Sequence, residues 1–383
     1  EKVLVLDSFM KRRILLITQW FDPEPTFKGL LFATELVKKG FYVEVITGFP
    51  NYPGGKVYPG YKIKVFQSEN INGIKVVRLP LYPSHDNSKI KRILNYVSFG
   101  LSALIYGFFA AKRADVIYAY HPPLTVGIVA ILLRFIRKIP VVLDVQDIWP
   151  DVLRDLNIVK RKLILNLLSY FVNVIYKNTD FIFVQSESFK KKISKKIKKK
   201  IEVLFNPEAE KIIKKNFINK DGNFIITYAG NIGKAQSFET LIEAVKKIKN
   251  PKIKFHIYGD GSEKNVLQKN INKFNLSKNI KLFKPISKIK IDIVLSKSNA
   301  FLLLLGKGDG LSSTLPAKIQ TYISHAKPII VSSDGESYNF VKKHKIGFVS
   351  KAADSDGLYN SIIKTKNLKK KKFEYISNRS INV

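Results

Sequence analysis

The chain has 383 residues, no cysteine, and 66 Lys and Arg against 30 Asp and Glu, a formal net charge of +36. Without cysteine there is no disulfide framework and no Cys-ligated zinc or iron–sulfur centre, while the length and a hydrophobic content of 45% allow two cores of ordinary domain size. The charge calls for anionic partners, among lipid surfaces, phosphorylated substrates and nucleic acids, although Lys interspersed with Ile and Asn also reflects compositional bias.

Residues ahead of Met10, the only methionine, read as a leader or upstream extension that lacks the small-residue cleavage site of a signal peptide. "RILLIT" (Arg13–Thr18) and "YVEVIT" (Tyr42–Thr47) are apolar runs of strand length on either side of a helical pattern over Lys28–Lys39, a βαβ opening. The loops Phe21–Gly29 and Gly48–Gly60 are rich in Pro, Gly and aromatic residues, and they follow the carboxyl ends of these strands, where open α/β sheets bind ligands. Gly29, Asn51 and Tyr52 are their candidate ligand contacts. A hairpin is predicted from Lys62–Asn70 and Ile74–Leu79, turning at Asn72-Gly73.

Ile93–Ala111 matches a membrane span in length and is flanked by Lys89, Lys91, Arg92, Lys112 and Arg113. It also carries Asn95, Ser98 and Ser102 at helical spacing and leads straight into a strand at Val116–Tyr120. A buried or membrane-resting helix fits this better than a span. Leu124–Ile136 and Leu163–Tyr176 have the same apolar character, so the first domain is expected to rest on lipid as well as to bury a core. Strands are predicted at Val141–Asp144 and Phe181–Val184. After them comes the densest charge run, Lys190, Lys191, Lys192, Lys195, Lys196, Lys198, Lys199 and Lys200, read as a contact for acidic head groups or phosphates rather than a solvated helix face.

A polar linker is expected over 206–223. Strand–helix alternation then resumes with strands at Phe224–Ala229, Ile253–Tyr258, Ile280–Phe283, Ala300–Leu305 and Pro328–Ser332. The first of these ends in Gly230-Asn231-Ile232-Gly233, followed by Lys234 and a helix starting near Ser237. Glycines that let backbone approach a ligand, helix amides pointing back at the turn and a nearby cation make an anion site. The second strand ends in Gly259-Asp260-Gly261. Two such turns on successive strands are a stronger signal than one. Asp354-Ser355-Asp356 reads as a helix N-cap rather than a metal site.

"GNIGKAQSFETLIEA" (Gly230–Ala244), "IYGDGSE" (Ile257–Glu263), "LPAKIQTYISHAKPII" (Leu315–Ile330), "GFPNYPGGKVYPGY" (Gly48–Tyr61), "HPPL" (His121–Leu124) and "DVQDIWPD" (Asp144–Asp151) together resemble glycosyltransferase family 4. The similar branch is that of bacterial amino-sugar transferases of O-antigen and colanic-acid assembly, of the L-fucosamine type. The resemblance implies an α/β fold of two facing Rossmann-like domains (GT-B), each a mostly parallel sheet with helices on both faces. The first, 10–205, would bind acceptor at the membrane; the second, 224–366, would bind the donor; and the tail, 367–383, would pack back on the first.

The implied reaction is retaining transfer of an N-acetylated amino sugar from a UDP-linked donor to a polyprenyl-diphosphate-linked saccharide, with no metal and no cofactor. The implied location is the cytoplasmic face of a bacterial membrane, with an anionic lipid surface as partner and no nucleic acid. His121 would contact the transferred sugar, and Asp147, Gly29, Asn51 and Tyr52 the acceptor, Asp147 reading alternatively as the cap of the next helix. Gly230, Asn231, Gly233, Lys234, Gln236, Gly259, Gly261, Asp309, Ser313, Thr314, Lys318 and Thr321 would bind the donor.

The sequence departs from the family where an Arg and a Lys usually grip the diphosphate, at Asn231 and Gln236, and where two Glu usually contact sugar and ribose, at Ser313 and Thr321. Backbone amides, Lys234 and Lys318 are expected to compensate, with Asp309 near in sequence. In the first loop, the paired glycines of the family are Thr26 and Phe27. Two other classes remain open from the residues alone: a basic membrane- or nucleic-acid-binding protein without catalysis, and another GT-B enzyme such as a sugar-nucleotide 2-epimerase.

Overall fold

The computed structural model describes residues 12–84, 88–121, 124–155, 159, 161–207, 222–286 and 288–383. The leader, most of the expected linker 206–223, and Pro122 and Pro123 of "HPPL" lie outside them. Two compact units result. One runs to Trp149 and resumes over Lys162–Pro207; the other takes Pro150–Arg161 and Glu208–Val383. Pro150–Arg161, which the sequence places within 10–205, therefore groups with the second unit.

In chain order the first half carries β1 (Arg13–Ile17), α1 (Leu30–Lys38), β2 (Tyr42–Gly48), β3 (Gln67–Ile71), β4 (Ile74–Leu79), α2 (Lys89–Phe109), β5 (Val116–His121), α3 (Leu124–Arg137), β6 (Val141–Val145), α4 (Asp151–Asp155), α5 (Lys162–Asn178), β7 (Phe181–Val184), α6 (Glu187–Ser194) and β8 (Ile201–Val203). The sheet order is β3-β4-β2-β1-β5-β6-β7-β8, parallel except for the β3–β4 hairpin. That hairpin turns at Asn72-Gly73, both with positive φ, but its first strand starts at Gln67, not Lys62. Residues 62–66 pair with nothing in the sheet, and Val65 and Phe66 are exposed.

The second half carries β9 (Phe224–Ala229), α7 (Phe238–Lys246), β10 (Ile253–Tyr258), α8 (Lys264–Lys273), β11 (Ile280–Phe283), α9 (Lys288–Ser296), β12 (Ala300–Leu304), α10 (Asp309–Ser312), α11 (Lys318–Ser324), β13 (Ile329–Ser332), α12 (Glu336–His344), β14 (Gly347–Ser350), α13 (Ser355–Lys366) and α14 (Lys370–Ile381). Its sheet, β11-β10-β9-β12-β13-β14, is parallel throughout. β12 is buried along its whole length, which is why "AFLLL" reads as an unbroken apolar run rather than an alternation. The tail helix α14 belongs to this second unit, where it lies against α11 and Arg379 Nε donates to the His344 carbonyl. Asp354 caps α13, its carboxylate accepting from the Gly357 amide at 2.8 Å.

Each sheet has one place where the strand order reverses. In the first it falls between β1 and β5, in the second between β9 and β12. The loops leaving neighbouring strands diverge there to opposite faces and open a crevice at the carboxyl ends, the usual ligand position in open α/β sheets. The candidate residues cluster at both reversals.

Candidate active site

In the second unit the crevice is built from the turn after β9. Gly230 and Asn231 are exposed, and the Asn231 amide has no hydrogen-bond partner among the described residues. The turn is held from below by the Tyr228 hydroxyl. Lys318 Nζ, from the first residue of α11, donates to Tyr228 Oη at 2.9 Å and lies 4.0 Å from the centre of the Tyr228 ring; Tyr228 in turn donates to the Asn231 carbonyl. A Cβ on Gly230 would stand 2.7 Å from Lys318 Nζ and push the ammonium aside, and Gly230 has φ +143, so the backbone requires glycine where the ammonium approaches the turn. Lys318 is half-buried, with protein packed closely around it, and desolvation pushes its ammonium down to about 7.

Gly259 and Gly261 serve the same turn indirectly. A Cβ on Gly259 would meet the Gly230 carbonyl at 1.9 Å, and one on Gly261 the Ile232 carbonyl at 2.3 Å. The two loops are laced together by Gly230 N to Tyr258 O, Ile232 N to Asp260 O and Glu263 N to Ile232 O. The glycines let the second loop pack under the first and fix its shape. Gln236 stands where the family's Lys would be and caps the turn, its Oε1 accepting from Gly233 N at 3.0 Å and weakly from Asn231 Nδ2 at 3.5 Å. These two departures from the family pattern thus form a neutral clamp. Lys234 is exposed. The helix does not start at the turn: a single 3-10 turn, Lys234–Gln236, and Ser237 in left-handed conformation (φ +45) come before α7.

The loop after β12 joins this cluster through Gly306 N, which donates to Ala235 O at 2.8 Å. Asp309 is exposed at the start of α10. Ser313 and Thr314 direct their hydroxyl protons to the Asp309 and Gly310 carbonyls, at 2.7 and 2.9 Å, and Ser313 is buried. Thr321 lies one turn beyond Lys318 on α11. The second unit therefore gathers all the residues that the resemblance assigns to the donor. It adds Tyr228, which sequence reasoning missed; its one signal was a polar-tipped aromatic at an inward position two residues before the glycine turn.

The crevice of the first unit is lined differently. His121 ends β5, is 1% exposed, meets Trp149 edge-on at 6.3 Å, and among the described residues has no partner for Nδ1 beyond its own main chain. Burial pushes it down to about 4, so the ring is neutral at pH 7. Asp147 follows β6, and α4 begins four residues later with Pro150 directly ahead of it, so Asp147 does not occupy the N-cap position of that helix. Burial pushes its carboxyl up to about 6, and it lies within electrostatic reach of Tyr52 and Tyr120.

Tyr52 packs on Trp20 at 4.8 Å, and Trp20 meets Tyr96 of α2 at 6.5 Å. All three rings are half-buried, a wall that sequence reasoning found only at Tyr52. Asn51 lies beneath it, accepting from Asn95 Nδ2. Its amide and that of Tyr52 donate to Glu24 Oε1 at 2.7 and 2.8 Å. Gly29 has a structural reason of its own: a Cβ there would fall 2.1 Å from the Asp22 carboxylate oxygen that accepts from the Leu30 amide and starts α1. Behind the wall, buried Lys28 and Asp144 pair at 3.2 Å, and Asp144 also accepts from Tyr118 Oη and Gln146 Nε2.

Two Rossmann-like units, each with its polar loops at the strand-order reversal, are the architecture of GT-B glycosyltransferases. Residues 30–206 match the model of the glycosyl transferase 4-like domain and residues 208–381 that of the glycosyl transferases group 1. The glycosyl transferase WcaI of Escherichia coli K12, named for colanic acid biosynthesis, is 25% identical over 342 residues, 82% of this chain and 81% of that one. Among solved structures, sucrose-phosphate synthase from Thermosynechococcus elongatus superposes with TM-score 0.74 over 97% of this chain and 94% of its own, at 14% identity. Anabaena HepE in complex with UDP and glucose gives TM-score 0.67 over 96% and 93%, also at 14% identity. The chain belongs to glycosyltransferase family 4, in the group 1 type related to the colanic-acid transferases.

Proposed function

We propose that this glycosyltransferase moves an N-acetylated amino sugar from a UDP-linked donor, held in the second unit, to a polyprenyl-diphosphate-linked saccharide at the cytoplasmic face of a bacterial membrane. The observation that carries the donor assignment is the exposed Gly230-Asn231 turn with a free amide and the Lys318 ammonium beneath it, at the reversal point of a parallel sheet. Breaking the bond between the anomeric carbon and the donor diphosphate adds one negative charge to a group that already carries two. Fixed donors aimed at that group stabilise the transition state more than the ground state. Lys318, Lys234 and the Asn231 amide fill that role without a metal.

The acceptor hydroxyl attacks the same face that the diphosphate leaves, its proton passing to the leaving phosphate oxygen, and configuration at the anomeric carbon is retained. Neutral His121 contacts the sugar, and Asp147 with the Trp20–Tyr52 wall contacts the acceptor saccharide, whose ring faces stack on aromatic side chains. Colanic-acid biosynthesis in the name of the WcaI relative supports a cell-surface polysaccharide as the product.

The test incubates the full chain with radiolabelled UDP- and GDP-linked sugars and a polyprenyl-lipid fraction. Label from a UDP-N-acetylhexosamine is expected in the lipid phase, with the anomeric configuration of the donor. Epimerised nucleotide-sugar without transfer makes the protein an epimerase. Absence of transfer from every donor overturns the reading.

A further inference from the structure

The first unit carries an apolar surface that its own core does not use. On α2, Ile90, Leu94, Val97, Leu101, Ile105 and Phe108 recur at helical spacing on one stripe, and each is between 43% and 72% exposed. The opposite face of the same helix buries Asn95, Phe99 and Ala103. α2 is long and apolar enough to cross a membrane and only 28% of its apolar window is buried, but it joins β4 to β5 of one sheet, so it lies along that sheet rather than spanning. α3 packs beside α2 and α5 beside α3, extending the surface with Phe135 and Ile136, then Leu163, Leu167 and Tyr170. Among the described residues of the second unit, exposed large apolar side chains are few and scattered: Val266, Ile293, Tyr375 and Val383.

Charge identifies what covers this surface. α2, α3 and α5 contain no Asp or Glu, and their Lys and Arg sit near the helix ends: Lys89, Lys91 and Arg92, Arg134 and Arg137, Lys162 and Lys177. Buried residues of α2, α3, α5 and α6 share one core cluster, so all four helices lie on the same face of the sheet. Beside α6 the surface turns strongly basic, with Lys191, Lys195, Lys196, Lys198, Lys199 and Lys200 exposed. Only the first part of that lysine run is helical; residues 195–200 lead from α6 into β8, so the run is not a single helix face. An apolar centre with no acid on the three helices, and a rim whose exposed lysines outnumber the acids Asp180 and Glu202 that pair with Arg134 and Lys200, suits an anionic bilayer. A second copy of the same face would set cation against cation.

We infer that the outer face of α2, α3 and α5, with the lysines flanking α6, docks this protein in the plane of an anionic membrane. The apolar stripe enters the head-group boundary by about 5–10 Å, and the rim lysines meet lipid phosphates. The inference stands apart from the donor and acceptor assignments, because vesicle binding needs no sugar.

The test is flotation of the full chain with vesicles of phosphatidylcholine alone and with one-quarter phosphatidylglycerol. Wild type is expected on the anionic vesicles. Leu101→Glu with Ile105→Glu is expected to lose at least about tenfold in partitioning, with thermal midpoint and circular dichroism unchanged because both positions are exposed. Replacing Lys195, Lys196, Lys198 and Lys199 by Gln is expected to weaken binding and remove most of its salt dependence, each lysine near the leaflet being worth about fivefold. Phe109→Trp is expected to shift its fluorescence to the blue on anionic vesicles. Failure of the wild type to float, or full binding by the double Glu variant, overturns the inference. So does a solution dimer that the double Glu variant dissociates, which assigns the face to a second copy.

Discussion

Lys318 is the residue through which donor binding can be interrogated by pH alone. Desolvation over Tyr228 holds its ammonium at about 7 in the free protein. A diphosphate against the Gly230 turn favours the charged form and returns the lysine toward its ordinary range, so binding takes up a proton between those limits. The sign follows: a group charged only in the bound state loses affinity as pH rises above its free value. With half of the free protein charged at about pH 7 and roughly one part in a hundred at about pH 9, the apparent Kd for a UDP-N-acetylhexosamine should rise about fiftyfold over that interval, about 2 kcal/mol. The nucleotide-sugar diphosphate itself does not titrate there.

Isothermal titration calorimetry in buffers of different ionisation enthalpy reads both quantities, with uptake of nearly one proton expected at about pH 8. Lys318→Met should bind about tenfold to a hundredfold more weakly at pH 7, the usual cost of a lost charge-assisted hydrogen bond, and should show no pH dependence. A wild-type Kd that is flat across the interval, with no proton uptake, refutes the placement of the phosphates at this turn.

Two further outcomes test the frames of the two crevices. Gly259→Ala places a methyl group 1.9 Å from the Gly230 carbonyl, a main-chain atom that cannot swing aside. The turn must shift, at about 1–3 kcal/mol of overpacking, and donor Kd measured by calorimetry should rise at least about tenfold while circular dichroism stays native; unchanged affinity would show that turn shape is irrelevant to binding. Glu24 is buried and its carboxyl is pushed up to about 7 by desolvation, against three backbone amides that favour the charge. A raised folded value means that the native state holds the extra proton, so this contribution to stability is full below the unfolded value of 4.5 and is lost as pH rises through about 7, by up to about 3 kcal/mol. Glu24→Gln should remove that slope from urea melts of the chain run at about pH 5 and about pH 8; an unchanged slope would mean that the carboxylate is comfortably ionised in place.

What the sequence determined by itself was everything that depends on near neighbours. Strand and helix periods, the Asn72-Gly73 turn, the Asp354 cap and the glycine turn after β9 are all set by chemistry within a few residues, and each is found where the residues put it. Residues 62–66 misled for the same local reason: alternation looks alike in a strand and in an exposed segment that joins no sheet.

Tertiary structure decided the meetings across sequence. Lys318 reaches Tyr228 across 90 positions only because β12 inserts beside β9 and brings α11 over the turn. Asn95 reaches Asn51 across 44, by way of a helix that crosses the sheet. The close approach of Gly259 and Gly261 to the Gly230 and Ile232 carbonyls, and the exposure of one apolar stripe on a helix that also buries its other face, follow from how elements pack. No local signal encodes them, because a pattern read along the chain gives each residue its neighbours in sequence, and only the strand order tells which loops share a crevice.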